Sequence, residues 1–172
     1  HRLVETQLLS ADGSLQSTAE LWQRGGLIRL DVSENGQTKH YILTEDTLYV
    51  WYNEERQVFT SSLPDREELY QLADAFSAVP GYETLLHLDK KQILDAGYAQ
   101  LDGQACIYVR AKSNALNYIE EYYIDNTTGL LLEASTYDGG RLVHTMRAGA
   151  ADLTAPEDAL FCLPGEDQAL TS

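Results

Sequence analysis

Four histidines, two cysteines and 27 acidic residues are the groups in this 172-residue chain that could move protons, hold a metal or attack an electrophile. His1, His40, His87 and His144 are scattered. None has the i, i+4 spacing with a nearby acid that sets two imidazoles on one helical face toward a metal. His87 and Asp89 are the nearest such pair and read as a solvated helix end. His40 and His144 stand among apolar residues in strand-like runs, where a hydrogen-bonded structural imidazole is the usual role. Residues 125–129, Asp-Asn-Thr-Thr-Gly with Glu133 downstream, carry calcium-like chemistry in outline only. The alternating oxygen ligands and twelve-residue spacing of a calcium loop are missing, so a tight turn is expected. Asn126-Thr127-Thr128 fits the glycosylation acceptor pattern, which bears only on a secreted eukaryotic chain.

Nucleophilic chemistry fares no better. There is no Gly-x-Ser-x-Gly elbow, no phosphate-cradling glycine loop and no Cys-x-x-Cys pair. Adjacent carboxylates such as Glu120 and Glu121 point to opposite faces of a strand and cannot act as a pair. Cys106 would need a partner imidazole and an electropositive setting. Cys106 and Cys162 lie far apart in sequence. A bridge between them would staple the C-terminal segment onto a strand, and two thiols leave bridged and free equally open. The expectation is a protein that is not an enzyme and carries no cofactor and no metal.

Charge and aromatic content bound the partners. Twelve basic residues against 27 acidic ones give a net charge of −15, a field that repels nucleic acid and anionic headgroups. No stretch approaches the roughly 20 apolar residues of a membrane-spanning helix. Eleven tyrosines against three phenylalanines and two tryptophans suit a sheet whose surfaces are apolar in body and wet at the tip. The only methionine is Met146, so an export leader removed upstream, or a start inside a longer gene product, is expected.

These groups must be positioned by a sheet. Residues 40–52 form two apolar runs joined at Glu45-Asp46, the centre of an antiparallel arrangement. Counting alternate positions puts Ile42, Leu48, Val50 and Tyr52 in one set and Tyr41, Leu43, Tyr49 and Trp51 in the other. Neither set is polar, so both sides of the hairpin need cover. Upstream, residues 1–24 read as two strands about a turn at 11–13, and 27–32 as a third. Asn35-Gly36 is a strong hairpin signal. Residues 58–60 follow as a further strand.

The period then changes from 2 to 3.6. Pro64 with Asp65, Glu67 and Glu68 opens a helix, Leu69, Leu72, Ala73, Phe76 and Val79 make one stripe, and Pro80-Gly81 ends it. Residues 82–88 read as a second short helix. Strands resume near Gln92, with turns at Asp102-Gly103, at 126–129 and at 138–140. A helical turn is expected over 156–160, with Phe161, Cys162 and Leu163 as a final anchor. The fold class is α+β, mainly β: an antiparallel sheet with a helical insert over one face.

Two sets of motifs carry a resemblance. Residues 22–31, Trp-Gln-Arg-Gly-Gly-Leu-Ile-Arg-Leu-Asp, precede a hairpin that ends Thr-Leu-Tyr-Val-Trp-Tyr at 47–52. Residues 121–133 follow a strand, Asp-x-x-Thr-Gly turn and strand pattern, and Tyr137-Asp138-Gly139-Gly140 opens the next hairpin. In this order they resemble the bacterial lipoprotein-carrier-like superfamily, the LolA and RseB group, over about residues 3–163.

The resemblance implies a curved, incomplete β-barrel as one domain over 1–163. It also implies a helical lid at about 64–88 in the concave face, with 164–172 left as a loose acidic tail. It further implies export to the periplasm or cell surface, with lipid anchoring through an upstream segment. The expected function is a non-catalytic binding protein that holds an apolar or amphipathic ligand, a lipid or acyl chain. The alternative is an envelope interaction or sensory module that binds a peptide or partner protein. Trp22, Tyr41, Tyr49 and Trp51 from the sheet, with Leu72, Phe76 and Tyr82 from the helices, are the expected lining. No nucleic-acid partner is expected.

Overall fold

Short runs of β-branched and aromatic residues, cut by Asn-Gly, Asp-Gly and Gly-Gly pairs, leave the chain few options but hairpins. In a computed structural model of the protein, the described residues are 1–10, 13–62, 83–86, 88–112, 117–149 and 151–171. They form strands β1 (Arg2–Ser10), β2 (Gly13–Arg24), β3 (Leu27–Glu34), β4 (Gln37–Leu43), β5 (Thr47–Tyr52) and β6 (Phe59–Ser62). A single helical turn α1 (Glu83–Leu86) and a 3-10 turn (Lys90–Gln92) follow. Strands β7 (Ile93–Leu101), β8 (Gln104–Lys112), β9 (Ile119–Asp125), β10 (Leu131–Asp138) and β11 (Arg141–Ala148) complete the sheet, and a second 3-10 turn spans Asp158–Phe161.

The strands hydrogen-bond in the order β6-β5-β4-β3-β2-β1-β11-β10-β9-β8-β7, with β6 and β7 at its two ends. The mainly-β antiparallel class expected from the sequence is what the described residues show. The turns are the expected ones. Asn35 and Gly36 both take positive φ (52° and 78°), as do Asp102 and Gly103 (52° and 83°). Two-residue hairpin loops need that conformation so that the turn's twist matches the strands. The helical stripe expected over 64–81 lies outside the described residues; of the stretch 64–88, residues 83–86 are helical.

The chain divides into two compact units. The first unit holds residues 1–4, 17–79 and 150–172, and the second holds 5–16 and 80–149. Leu30, Ile42 and Phe161 are fully buried in the first unit, beside Leu43, Leu48 and Trp51. In the second, Cys106, Ala111, Leu131 and Met146 are the most buried side chains.

Register corrects one expectation. Leu43 pairs with Leu48, Ile42 with Tyr49 and Tyr41 with Val50. Directly paired residues share a face, and the loop between Leu43 and Leu48 has an even number of residues. Odd positions on β4 therefore share a face with even positions on β5. Ile42, Tyr49 and Trp51 lie together on one face, and Tyr41 and Leu43 lie with Leu48, Val50 and Tyr52 on the other. Counting parity straight through the turn had these exchanged. Neither face is polar along this hairpin in either grouping.

The C-terminal segment is the second correction. Cys162 bridges to Ala169, and Leu170 N donates to Phe161 O at 2.9 Å. Glu166 N also donates to Leu163 O at 3.0 Å. Residues 164–170 thus double back on the Phe161 anchor and are not a loose tail. Gly165, at φ 83°, permits the reversal.

Candidate functional site

On β3 the sequence Arg29-Leu30-Asp31 sets the guanidinium and the carboxylate two residues apart, hence on one face. They meet in a two-pronged pair: Arg29 Nε donates to Asp31 Oδ1 at 2.9 Å and Nη2 to Oδ2 at 2.8 Å. Asp31 pairs with His40 on β4, and His40 with Trp51 on β5. Nδ1 of His40 lies 2.9 Å from Asp31 Oδ1, so it carries a proton and donates it to the carboxylate. The imidazole stacks on Trp51 with centroids 5.0 Å apart and planes 17° apart. Arg29 meanwhile sits over two indoles, 5.7 Å from the Trp22 ring and 5.6 Å from the Trp51 ring. Both distances are within cation–π range. His40 is therefore the hydrogen-bonded imidazole expected of it.

The C-terminal segment closes over this face. Arg29 Nη1 donates to Leu160 O at 2.7 Å. Arg24 pairs with Asp158, donates to Pro156 O and lies 4.8 Å over the fully buried Phe161 ring. The N-terminus is tied to the same layer: His1 stacks on Trp22 at 4.9 Å, and its ammonium donates to Asp152 O at 2.8 Å. Between the sheet and this layer lies a small open pocket of about 160 Å³, lined by Arg29, His40, Trp51, Asn53, Glu54, Cys162 and Pro164. That volume is well below the several hundred Å³ of a pocket for a drug-sized ligand. It admits a small molecule or the end of a larger one.

The residues expected to line one ligand site do not share one face. Trp22, Tyr49 and Trp51 lie on the Arg29 face, as the pairings Trp22 with Arg29 and Ile42 with Tyr49 require. Tyr41 is buried on the opposite face, where Lys39 Nζ lies 4.9 Å from its ring centre. Leu72, Phe76 and Tyr82 lie outside the described residues. Arg29, Asp31 and Asn53 were missed in the sequence. The signal for the first two was Arg-x-Asp on a strand two residues past the Trp22 hairpin, a spacing that forces both side chains to one face.

The second unit carries a different surface. Tyr98 pairs with Ile107, Ile107 with Ile124, Ala96 with Val109 and Val109 with Tyr122. These residues share one face. Tyr98 is 88% exposed and Ile107 37%, while Leu94 at the nearby β7 irregularity is 53% exposed. Tyr122 donates its hydroxyl to Glu120 at 2.8 Å, and burial together with that carboxylate holds its phenol well above the usual range. His144, on the same unit, has its imidazole held below the usual value by burial.

The reverse face of these strands is a polar ladder. Tyr108 donates to Glu121, and Arg147 reaches both Glu133 and Asp102. Cys106 is buried beneath it at 1% exposure, Cys162 is half-buried, and both are free thiols. The 125–129 segment is the tight turn expected: Asp125 Oδ1 accepts from Thr127 N at 2.8 Å and Oδ2 from Thr128 Oγ1 at 2.7 Å. Among the described residues no three of His, Cys, Asp and Glu gather as a metal site. Among them, no helix is long and apolar enough to cross a membrane.

No protein-family model matches the chain, and no curated protein matches it. Among solved structures it is similar to MucB in the crystal structure of its complex with MucA(peri), at 13% identity and a TM-score of 0.47. That match covers 99% of this chain and 57% of the other, so the chain spans a little over half the length of that relative. It is also similar to a LolA superfamily protein from Nitrosomonas europaea, at 10% identity and a TM-score of 0.36, covering 94% of this chain and 88% of that one. The second belongs to the superfamily that the strand-and-turn motifs resemble. Likeness at this level concerns strand arrangement and says nothing of ligand or partner.

Proposed function

We propose that the protein is a non-catalytic binding protein that acts outside the cytoplasm and holds an apolar or amphipathic ligand, a lipid or acyl chain, against its sheet. The observation that carries this reading is the apolar face of the second unit, where Tyr98 and Ile107 are left to solvent while their neighbours Val109 and Tyr122 are more buried. Removing such surface from water is worth about 25 cal/mol per Å², so an acyl chain laid along β7 and β8 gains affinity without any specific polar contact. The hydroxyl of the exposed Tyr98 suits a ligand with a polar end. In the first unit, the charged groups of the Arg29 face satisfy one another, which fits a binding role better than turnover.

A second reading, an envelope interaction module that binds a peptide or partner protein, draws on the end strands. All four residues of β6 are exposed, as are most of β7, and an extended peptide can add to such an edge. Native mass spectrometry of protein purified without detergent tests the first reading. We expect a population heavier than the bare chain that releases lipid on organic extraction. A homogeneous bare mass, with no uptake of added fatty acid or phospholipid, would sink it.

A further inference from the structure

Across β8 to β11 the apolar face of the second unit ends in a polar row: Ala111 pairs with Glu120, Glu120 with Thr136 and Thr136 with His144. The next row along the strands is Val109, Tyr122, Ala134 and Met146, with Ile107 and Ile124 beyond it. A carboxylate that borders such a surface needs a cation, since an unpaired charge is costly where water is displaced. We infer that Glu120 is the head-group site of this face, and that the ligand it selects is a single-chain amphiphile with an ammonium head, a long-chain amine.

This rests on the ligand-binding reading above and adds the sign of the head group. Glu120 is half-buried. Tyr122, two residues on and so on the same face, fixes it by donating its hydroxyl to Oε2 at 2.8 Å. The cations of these strands lie on the reverse face: Arg110 pairs with Glu121, Lys112 stands opposite Ile119, and Arg147 reaches Glu133. Among the described residues no ion pair includes Glu120. His144 lies two strands away, about 10 Å at the backbone. Burial holds its imidazole below the usual value, so it is neutral near pH 7 and supplies no charge. On this face a cation for the carboxylate must come from the ligand.

Shape and long-range charge agree with that choice. From Glu120 the face runs apolar along β9 to Ile124, about 13 Å. It passes Val109 and the exposed Ile107, with Tyr98 paired to Ile107 at its margin. An alkyl tail laid along this line leaves its ammonium at the carboxylate, where a charge-assisted hydrogen bond is about twice as strong as a neutral one. The net charge of −15 acts in the same direction, drawing cationic amphiphiles and repelling fatty acids and anionic phospholipids.

The test is calorimetric titration of the full chain with dodecylammonium, dodecanoate and uncharged dodecyl maltoside, each kept below its micelle concentration. Dodecylammonium should bind roughly tenfold or more tightly than dodecanoate, the worth of one charge-assisted contact. Glu120→Gln should erase that preference and leave the maltoside affinity unchanged. Glu121→Gln removes the same charge from the reverse face and should leave the preference intact. Equal or tighter binding of dodecanoate, a preference that survives Glu120→Gln, or an equal loss in Glu121→Gln would each overturn the proposal. If Glu120→Gln does not fold, the wild type at about 1 M salt decides. The screening length there is about 3 Å, so a preference set by net charge vanishes, whereas one set by contact with Glu120 persists. Binding of all three amphiphiles without preference refutes the head-group site alone, whereas binding of none refutes the ligand-binding function on which it rests.

Discussion

Arg29 grips both carboxylate oxygens of Asp31 on its own strand, at 2.9 and 2.8 Å, with the two side chains only 15% and 16% exposed. A pair so placed organises everything around it: His40 leans on the carboxylate, and two indoles flank the guanidinium. Removing one partner leaves a largely desolvated charge unmatched. Asp31→Ala should therefore cost about 3 kcal/mol, close to the lower end for a broken buried pair. Urea unfolding checks this: the midpoint should fall with little change in slope. A loss below roughly 0.5 kcal/mol, the scale of an exposed pair, would mean that solvent already screens the interaction.

Phe161 is fully buried, with Arg24 over its ring at 4.8 Å. It anchors the layer that covers the Arg29 face. Phe161→Ala should cost about 3–5 kcal/mol, the usual range for emptying a buried aromatic site. The loss should also expose residues 152–170 to protease before the rest of the chain. Limited proteolysis with mass mapping would detect it, and cleavage that begins elsewhere would contradict the anchoring role.

Asp125 gives the acid limb of stability. Its carboxyl lies below the usual carboxylate range because Thr127 N and the Thr128 hydroxyl donate to the charged form. A group whose folded pKa is depressed contributes stability above its unfolded value, near 4, and that contribution is lost as pH falls through the lower folded value. Asp125→Asn should therefore lower stability by about 1 kcal/mol at pH 7 and make less difference at about pH 2 to 3. Urea titrations at the two pH values test it. An equal loss at both would show that the turn does not depend on the charge.

Tyr98 and Ile107 pair across β7 and β8 and are both solvent-accessible. Replacing both with serine should cost the fold little, within about 1 kcal/mol, since surface positions are tolerant. The same double variant should lose most of any lipid that co-purifies with the wild type, as read by native mass spectrometry. Retained lipid with unchanged stability would place the ligand elsewhere.

Much of the fold was legible in the chain. Asn35-Gly36, Asp102-Gly103 and the 125–129 turn declare themselves because their backbone conformations are local and residue-specific. The strands between them follow from a period of two. The pairing of faces across the β4–β5 turn was not legible by counting parity straight through, because a loop with an even number of residues reverses it. This matters for the site: it sends Tyr41 to one face while Tyr49 and Trp51 lie on the other.

The sequence by itself determined hairpins and turns, read from local propensity and spacing, since those depend on neighbours a few residues away. It also determined that Arg29 and Asp31 must share a face. Only the tertiary structure decided what meets that face. The imidazole of His40 comes from a position 11 residues distant from Arg29 in the chain, and the carbonyl of Leu160 from one 131 residues distant. No local propensity specifies such contacts. They form where the layer anchored by the buried Phe161 ring packs against the Arg29 face of β3 to β5.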